Sequence, residues 1–238
     1  FGKIRCDHFT QGKVTPDFML VTPVPLPPSL AFTVFSDMNI TTIQQNEGAA
    51  ESEVAAPSER DAVYQGIQEI LSSGRQAYIV FPMRDGTDVI DRKRGEVLAN
   101  AMAQEAFPGH TVGLFHGAMN REERSRVYED FLHRKIDVLI STTAIEDAPE
   151  IDNAAGMMVE NADHFDLIRL YRLRGHLVNR SEDSKCFFVL SKEPSEAGAK
   201  LVEFVAKDAD PFTLAERDRE IRGDEALLGE RKGDLPQF

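Results

Sequence analysis

Residues 111–141 read TVGLFHGAMNREERSRVYEDFLHRKIDVLIS. Thr111–Phe115 and Ile136–Ser141 are short apolar runs of strand character. Between them Asn120 is followed three residues later by Glu123, the spacing of a capping box, which opens a helix running to about Arg134. Strand, loop, helix and strand in about 30 residues make a βαβ unit, and such units build parallel sheets.

The same rhythm extends both ways. Gln76–Pro82 (QAYIVFP) reads as a buried strand after a helix over Ser58–Ser73 that Gly74 closes. A helix over Asp91–Ala106 precedes Thr111. Beyond Ser141, strands at Gly156–Glu160 and Lys185–Leu190 enclose a helix over Phe165–Leu177. Five strands alternating with helices predict an α/β fold, a parallel sheet with helices on both faces, because crossovers are right-handed. Upstream, Phe18–Thr22 reads as a strand, and Gln44–Glu59 (QQNEGAAESEVAAPSE) carries four Glu and no base, the composition of a linker. The expected organisation is residues 1–43 as a separate N-terminal piece, 44–57 as a linker, 58–192 as the α/β domain and 193–238 as a charged helical extension.

The chain has 238 residues, with 27 Lys+Arg against 40 Asp+Glu and a formal charge of −13. Bulk charge therefore excludes a protein that holds nucleic acid by an overall basic surface, although a local basic stripe is compatible with it. Cys6 and Cys186 have no metal-ligand spacing and read as reduced thiols. No run of 18 apolar residues and no signal-peptide pattern is present, so a soluble cytoplasmic protein with no membrane partner is expected, and the start at Phe1 suggests a fragment.

Phosphate chemistry on such folds needs a glycine-rich turn ending in Lys-Ser/Thr and an acidic pair for magnesium. Gly12-Lys13 is followed by Val14, and Asp137 has no acidic neighbour. Alone, the chain is not expected to hydrolyse a nucleotide. Ligand sites in open α/β sheets lie at the carboxyl ends of strands. The candidates there are His116-Gly117, Ser141-Thr142-Thr143, and the helix with Arg169, Arg172, Arg174 and Arg180, where residues 165–180 hold four Arg against one Asp. Read singly, these are a solvated helix face and ordinary helix caps.

Together they resemble a family. VGLFHG (112–117), DVLISTTAIE (137–146), NADHF (161–165) and Leu173-Arg174-Gly175 resemble the second RecA-like lobe of superfamily 2 DNA translocases, most of all the RecG family of branched-DNA helicases. Residues 20–37 resemble the end of that family's first lobe, and 210–238 resemble the translocation motif shared by RecG and Mfd proteins. The resemblance implies the C-terminal motor lobe of an ATP-dependent helicase in replication-fork repair and recombination, using ATP and Mg2+ in the full-length parent and binding neither tightly alone. Its implied partners are branched or duplex DNA and a first RecA-like lobe. It implies Arg174 and Arg180 as catalytic arginines, with Glu146, Glu150 and Arg174 facing nucleotide. His116, Gly117, Thr142 and Thr143 would face DNA, and Arg222, Gly223, Gly229 and Arg231 would couple lobe closure to DNA movement.

The chain also departs from the family pattern. His176, Val178 and Asn179 replace Arg, Gly and Arg of the Arg-Gly-Arg-Val-Gly-Arg segment, Arg180 lies one position late, and Arg172 stands where Gln is usual. Ala148-Pro149-Glu150-Ile151-Asp152 replaces Gly-Val-Asp-Val-Pro. A catalytically degenerate helicase-like interaction module and an Mfd-like transcription-repair lobe are the alternative readings.

Overall fold

The computed structural model describes residues 41, 50–82, 92–177, 184–207, 213, 216, 217 and 220, with 92–96 and 147 as backbone alone. The chain divides into two compact units, residues 41–209 and residues 1–40 with 210–238. In the second unit the described residues include Arg217, which pairs with Glu220 at 2.6 Å. The expected strand at Phe18–Thr22, and Arg180, Arg222, Gly223, Gly229 and Arg231, lie outside the described residues.

The first unit is a six-stranded parallel sheet in the order β1-β6-β5-β2-β4-β3. Its strands are β1 Glu51–Ala55, β2 Gln76–Val80, β3 Val112–Phe115, β4 Val138–Ser141, β5 Ala154–Glu160 and β6 Lys185–Val189. The helices are α1 Arg60–Ser72, α2 Arg92–Ala101, α3 Arg121–Leu132, α4 Leu167–Gly175 and α5 Glu196–Ala206. A π-helical turn, Met102–Ala106, prolongs α2.

Each helix starts and stops for local reasons. α1 buries Val63, Ile67, Ile70 and Leu71, a stripe at helical spacing, and ends where Gly74 takes φ +80. α3 begins with the expected capping box: Asn120 Oδ1 accepts the Glu123 N–H at 2.8 Å, and Glu123 Oε2 accepts the Asn120 N–H at 3.2 Å. Asp166 caps α4 by accepting the Arg169 N–H, and Ser195 caps α5 by accepting that of Gly198.

Alternate strand residues face opposite layers. Ala77, Ile79, Val138, Ile140, Met158 and Phe187 pack with α1 and the α2 region around Met102 and Phe107. Tyr78 faces the other layer, its ring 5.1 Å from that of Phe131 on α3. A register shift between β2 and β5 pairs Gln76 with Ala154 and Ala77 with Gly156. Gly156 is then so close to α1 that a Cβ there would lie 3.1 Å from Ile67 Cδ1, Ile70 Cδ1 and Ala77 Cβ.

Two expectations are corrected. The linker at 44–57 is not wholly a linker, because Glu51–Ala55 is β1, paired in parallel with β6 from Glu51↔Lys185 to Ala55↔Val189. The acidic composition misleads because an edge strand keeps charge on its open side, where charges deter further pairing; Glu51 and Glu53 are exposed while Ala55 is buried. The sheet therefore has six strands and not five. The helical segment after 192 also begins inside the α/β unit, since α5 buries Leu201, Val202 and Val205 and the unit runs to residue 209.

Candidate functional site

β3 and β4 are neighbours, and Phe115 pairs with Ser141. The next residues of each, His116-Gly117 and Thr142-Thr143, therefore leave the sheet side by side at its carboxyl edge. His116 and Thr142 are both buried, each 2% exposed. Thr142 is the N-cap of the 3-10 turn Thr143–Asp147, its Oγ1 accepting the Ala144 N–H at 3.4 Å, while Ser141 Oγ donates to the Thr142 carbonyl. The threonine segment is thus a short, tight turn directly after a buried strand.

That turn is gripped from α4. Glu146 Oε2 accepts from Arg172 Nη1 at 3.1 Å, and Arg172 Nη2 donates to the Glu146 main-chain carbonyl, also at 3.1 Å. Arg169 Nε lies 4.0 Å from Glu146 Oε1 and 3.4 Å from Asp166. Positions three apart share a helix face, so the two guanidiniums converge on one carboxylate. Glu150 is exposed in the loop that follows, where Tyr128 of α3 donates to the Pro149 carbonyl at 3.3 Å. Burial raises the Tyr128 and Tyr78 phenols above their ordinary range.

Arg174 is placed elsewhere. It is 5% exposed, its guanidinium lies 5.6 Å from the Tyr171 ring centroid, and Nη1 donates to the Val205 carbonyl in the last turn of α5. A cation at a helix C-terminus satisfies an orphan carbonyl and opposes the dipole. It also sits close enough to Cys186 to oppose, in part, the burial that pushes that thiol up to about 12. The structure brings Thr142, Thr143 and Glu146 together with Arg169 and Arg172, and leaves Arg174 beside α5. His176, where the family has Arg, is buried.

Three features escape sequence reading. Arg60, at the start of α1, holds Glu160, at the end of β5, through Nε at 2.9 Å and Nη2 at 2.8 Å. The Glu160 hydrogen bond and charge raise the Arg60 pKa. The pair walls a crevice of about 290 Å³ with Tyr64, Phe81, Leu98, Met102 and Asn161, where Asn161 takes φ 48. A carboxylate ending a wholly apolar strand is the one sequence signal for it. Asp163 likewise accepts from the Ser191 amide at 2.6 Å and hydroxyl at 2.7 Å, tying the turn after β5 to the end of β6. On α3, Arg121 and Arg126 are exposed and Arg124 half-buried, in the first turns beyond the His116 loop.

Among the described residues no cluster of three or more His, Cys, Asp or Glu is arranged to hold a metal, and no helix is long and apolar enough to cross a membrane.

Residues 62–181 match the helicase conserved C-terminal domain. An ATP-dependent DNA helicase RecG of Staphylococcus epidermidis is 31% identical over 231 residues, covering 96% of this chain and 34% of that protein. The RecG of Synechocystis is 29% identical over 226 residues, covering 94% and 27% respectively. The chain thus spans about a third of the length of these curated relatives. A solved RecG bound to a three-way DNA junction superposes with a TM-score of 0.70 at 26% identity, over 86% of this chain and 27% of that one. The yeast DEAD-box splicing factor Prp28 superposes at 0.54 with 14% identity and shares the fold. The parallel sheet is therefore the RecA-like sheet of a helicase C-terminal lobe, and the chain belongs to the helicase conserved C-terminal domain family, in its RecG-like branch.

Proposed function

We propose that this chain is the C-terminal motor lobe of a RecG-like ATP-dependent helicase that acts on branched DNA in fork repair and recombination, in the cytoplasm and with a first RecA-like lobe as its partner. The observation that carries this reading is the carboxyl-edge arrangement: His116-Gly117 beside Thr142-Thr143, joined through Glu146 to the arginine helix α4. Hydroxyls, main-chain N–H groups and guanidiniums suit phosphate oxygens, of DNA on one side and of nucleotide on the other. Arg121, Arg124 and Arg126 extend the cationic surface beyond the His116 loop.

ATP and Mg2+ fit this chain unequally. Arg169, Arg172 and the threonine hydroxyls fit one side of a polyphosphate, whereas the described carboxylates form no magnesium cradle. The chain's share of the chemistry is to neutralise charge on the transferring phosphate. The loop and carboxylates that hold the metal come from the other lobe. Residues 1–43 then complete the first lobe, and 193–238 contain the translocation motif with Arg222, Gly223, Gly229 and Arg231. Arg174 and Arg180 remain the proposed phosphate-contacting arginines, with Glu150 near the nucleotide. For Arg174 that role requires release of its hydrogen bond to Val205.

With a charge of −13, the chain alone should bind three-way-junction DNA no more tightly than roughly 10⁻⁴ to 10⁻⁶ M at physiological salt, the range of non-specific contact. The deciding experiment is junction-stimulated ATP turnover by the complete protein. Turnover lost in Arg174→Ala supports the motor reading. The burial of Arg174 and His176 favours a second reading, a non-catalytic module. Absence of turnover, even after His176→Arg and Asn179→Arg, would put that reading first.

A further inference from the structure

The threonine segment is a 3-10 turn of five residues, Thr143–Asp147. Such turns have poorer hydrogen-bond geometry than an α-helix and lean on outside support. Here one guanidinium supplies it twice, since Arg172 bonds both the side chain and the main chain of Glu146. Arg169 approaches the other carboxylate oxygen and is itself braced by Asp166, the N-cap of α4. The Glu146 side chain is 7% exposed, while those of Arg172 and Arg169 are 32% and 40% exposed. The carboxylate is enclosed, and the cations that enclose it face outward.

We propose that Arg172 and Arg169 form a latch on Glu146 that makes the threonine segment move only with α4, and that an incoming polyphosphate opens the latch by competing with Glu146 for Arg172. The inference rests on the motor reading for what the segment senses, but the latch itself rests on the contacts. Position 172 is where the resembling family carries Gln. A neutral amide brings no cation to pair with the carboxylate and has two N–H donors in place of the five of the guanidinium fork. The latch is therefore a property of this chain's own departure. Phosphate oxygens are the competitors because they match the guanidinium fork as a carboxylate does.

Hydrogen exchange on the full chain tests it. In Arg172→Gln, main-chain amides of residues 143–148 should exchange about tenfold faster, with the β2 and β5 amides unchanged. Glu146→Gln should act at the same amides, and the double variant should go little beyond either single one, as coupled partners do. Arg172→Lys should fall between wild type and Arg172→Gln. Inorganic tripolyphosphate should accelerate exchange at 143–148 in the wild type and leave Arg172→Gln unmoved. In the complete protein, Arg172→Gln should raise junction-stimulated ATP turnover several-fold. Unchanged exchange at 143–148 in Arg172→Gln would overturn the latch, as would an equal tripolyphosphate response in both proteins. Faster exchange without a gain in stimulated turnover would overturn its restraint of the segment. If no version of the complete protein turns over ATP, it is the motor reading that fails, and the exchange and tripolyphosphate results still decide the latch.

Discussion

Glu160 ends one of the two strands that flank β2 and Glu146 lies in the turn after the other, and their side chains are 5% and 7% exposed. They are held in opposite ways. Glu160 is gripped side-on by one guanidinium, Arg60, from a residue 100 positions away, with both oxygens used. Glu146 is shared between two arginines of α4, and Arg172, 26 residues on, also takes its main-chain carbonyl. The first arrangement fixes one end of a strand to the start of a helix through a single cation. The second ties a turn to a helix by contacts that another anion can take over. The same chemistry serves as a staple in the sheet and as a coupling at its edge, and the number of cations and the bidentate grip of Arg60 make the difference.

The largest effect should come from breaking the staple. Arg60→Met leaves Glu160 buried without its cation, and removing one partner of such a pair costs about 3–5 kcal/mol. The Arg60 side chain is 34% exposed, so solvent screening puts the expectation at the lower end. Urea denaturation measures it. Arg60→Met with Glu160→Leu should recover most of the loss, because the penalty is the stranded charge rather than the missing pair. A loss below about 1 kcal/mol in the single variant would place Glu160 with the exchangeable carboxylates and end the contrast.

Packing beside the staple sharpens the same contrast. Gly156 in β5 approaches α1 so closely that even a Cβ meets three side-chain carbons at 3.1 Å. Gly156→Val adds two further methyl groups to that contact, and overpacking of this kind costs about 1–3 kcal/mol. The thermal midpoint should fall while exchange at residues 143–148 stays as it was. If the threonine segment loosened as well, staple and latch would form one cooperative unit rather than two.

The Cys186 thiol measures how closed the sheet is near β6. Burial raises it from its ordinary 9.0 to about 12. Above pH 9 the unfolded chain releases this proton and the folded chain keeps it, so the unfolded state binds fewer protons and stability falls as pH rises. The contribution is complete below about pH 9 and is lost towards pH 12, at up to roughly 1.4 kcal/mol per pH unit. Cys186→Ala should flatten the decline between pH 9 and 10.5. In a Cys6→Ser background, Cys186 should also resist thiol reagents at pH 8 until the chain unfolds.

How much of this was legible follows from where each signal is written. The parallel sheet was readable because apolar runs alternate with local start signals, and Asn120 with Glu123 forms the capping box their spacing announces. β1 was missed because an edge strand exposes its charges, so Glu51 and Glu53 imitate a linker. The threonine loop beside the His116 loop was legible as position and not as contact. Arg169, Arg172 and Arg174 read as one basic stripe, yet only the first two reach Glu146. Arg174 lies seven residues after Leu167 and four after Leu170, on the buried side of α4. Helical spacing carries that information, but arginine is by habit assigned to solvent. Arg60 with Glu160 and Asp163 with Ser191 join residues far apart in the chain, and no local pattern encodes such pairs.

The smallest expected effect lies at the latch. Arg172→Met removes two hydrogen bonds to Glu146 but leaves Arg169 beside the carboxylate and keeps an apolar stem of similar reach. Because Arg169 stays to offset the Glu146 charge and the Arg172 side chain is partly exposed, the global loss should be about 1 kcal/mol or less. That is a fraction of the cost at Arg60, although the two carboxylates are equally enclosed. The wild type should therefore lose part of its advantage over Arg172→Met between 0.05 and 1 M NaCl, as the Debye length shrinks from over 10 Å to about 3 Å. The difference between Arg60→Met and its parent should change less over the same range, because its main part is the cost of leaving the enclosed Glu160 carboxylate with no cation, which salt does not screen. Urea midpoints for the two variants at both salt concentrations test this directly. Equal salt sensitivity at both positions would mean that the stranded charge at Glu160 does not separate staple from latch, and the distinction would then rest on geometry alone.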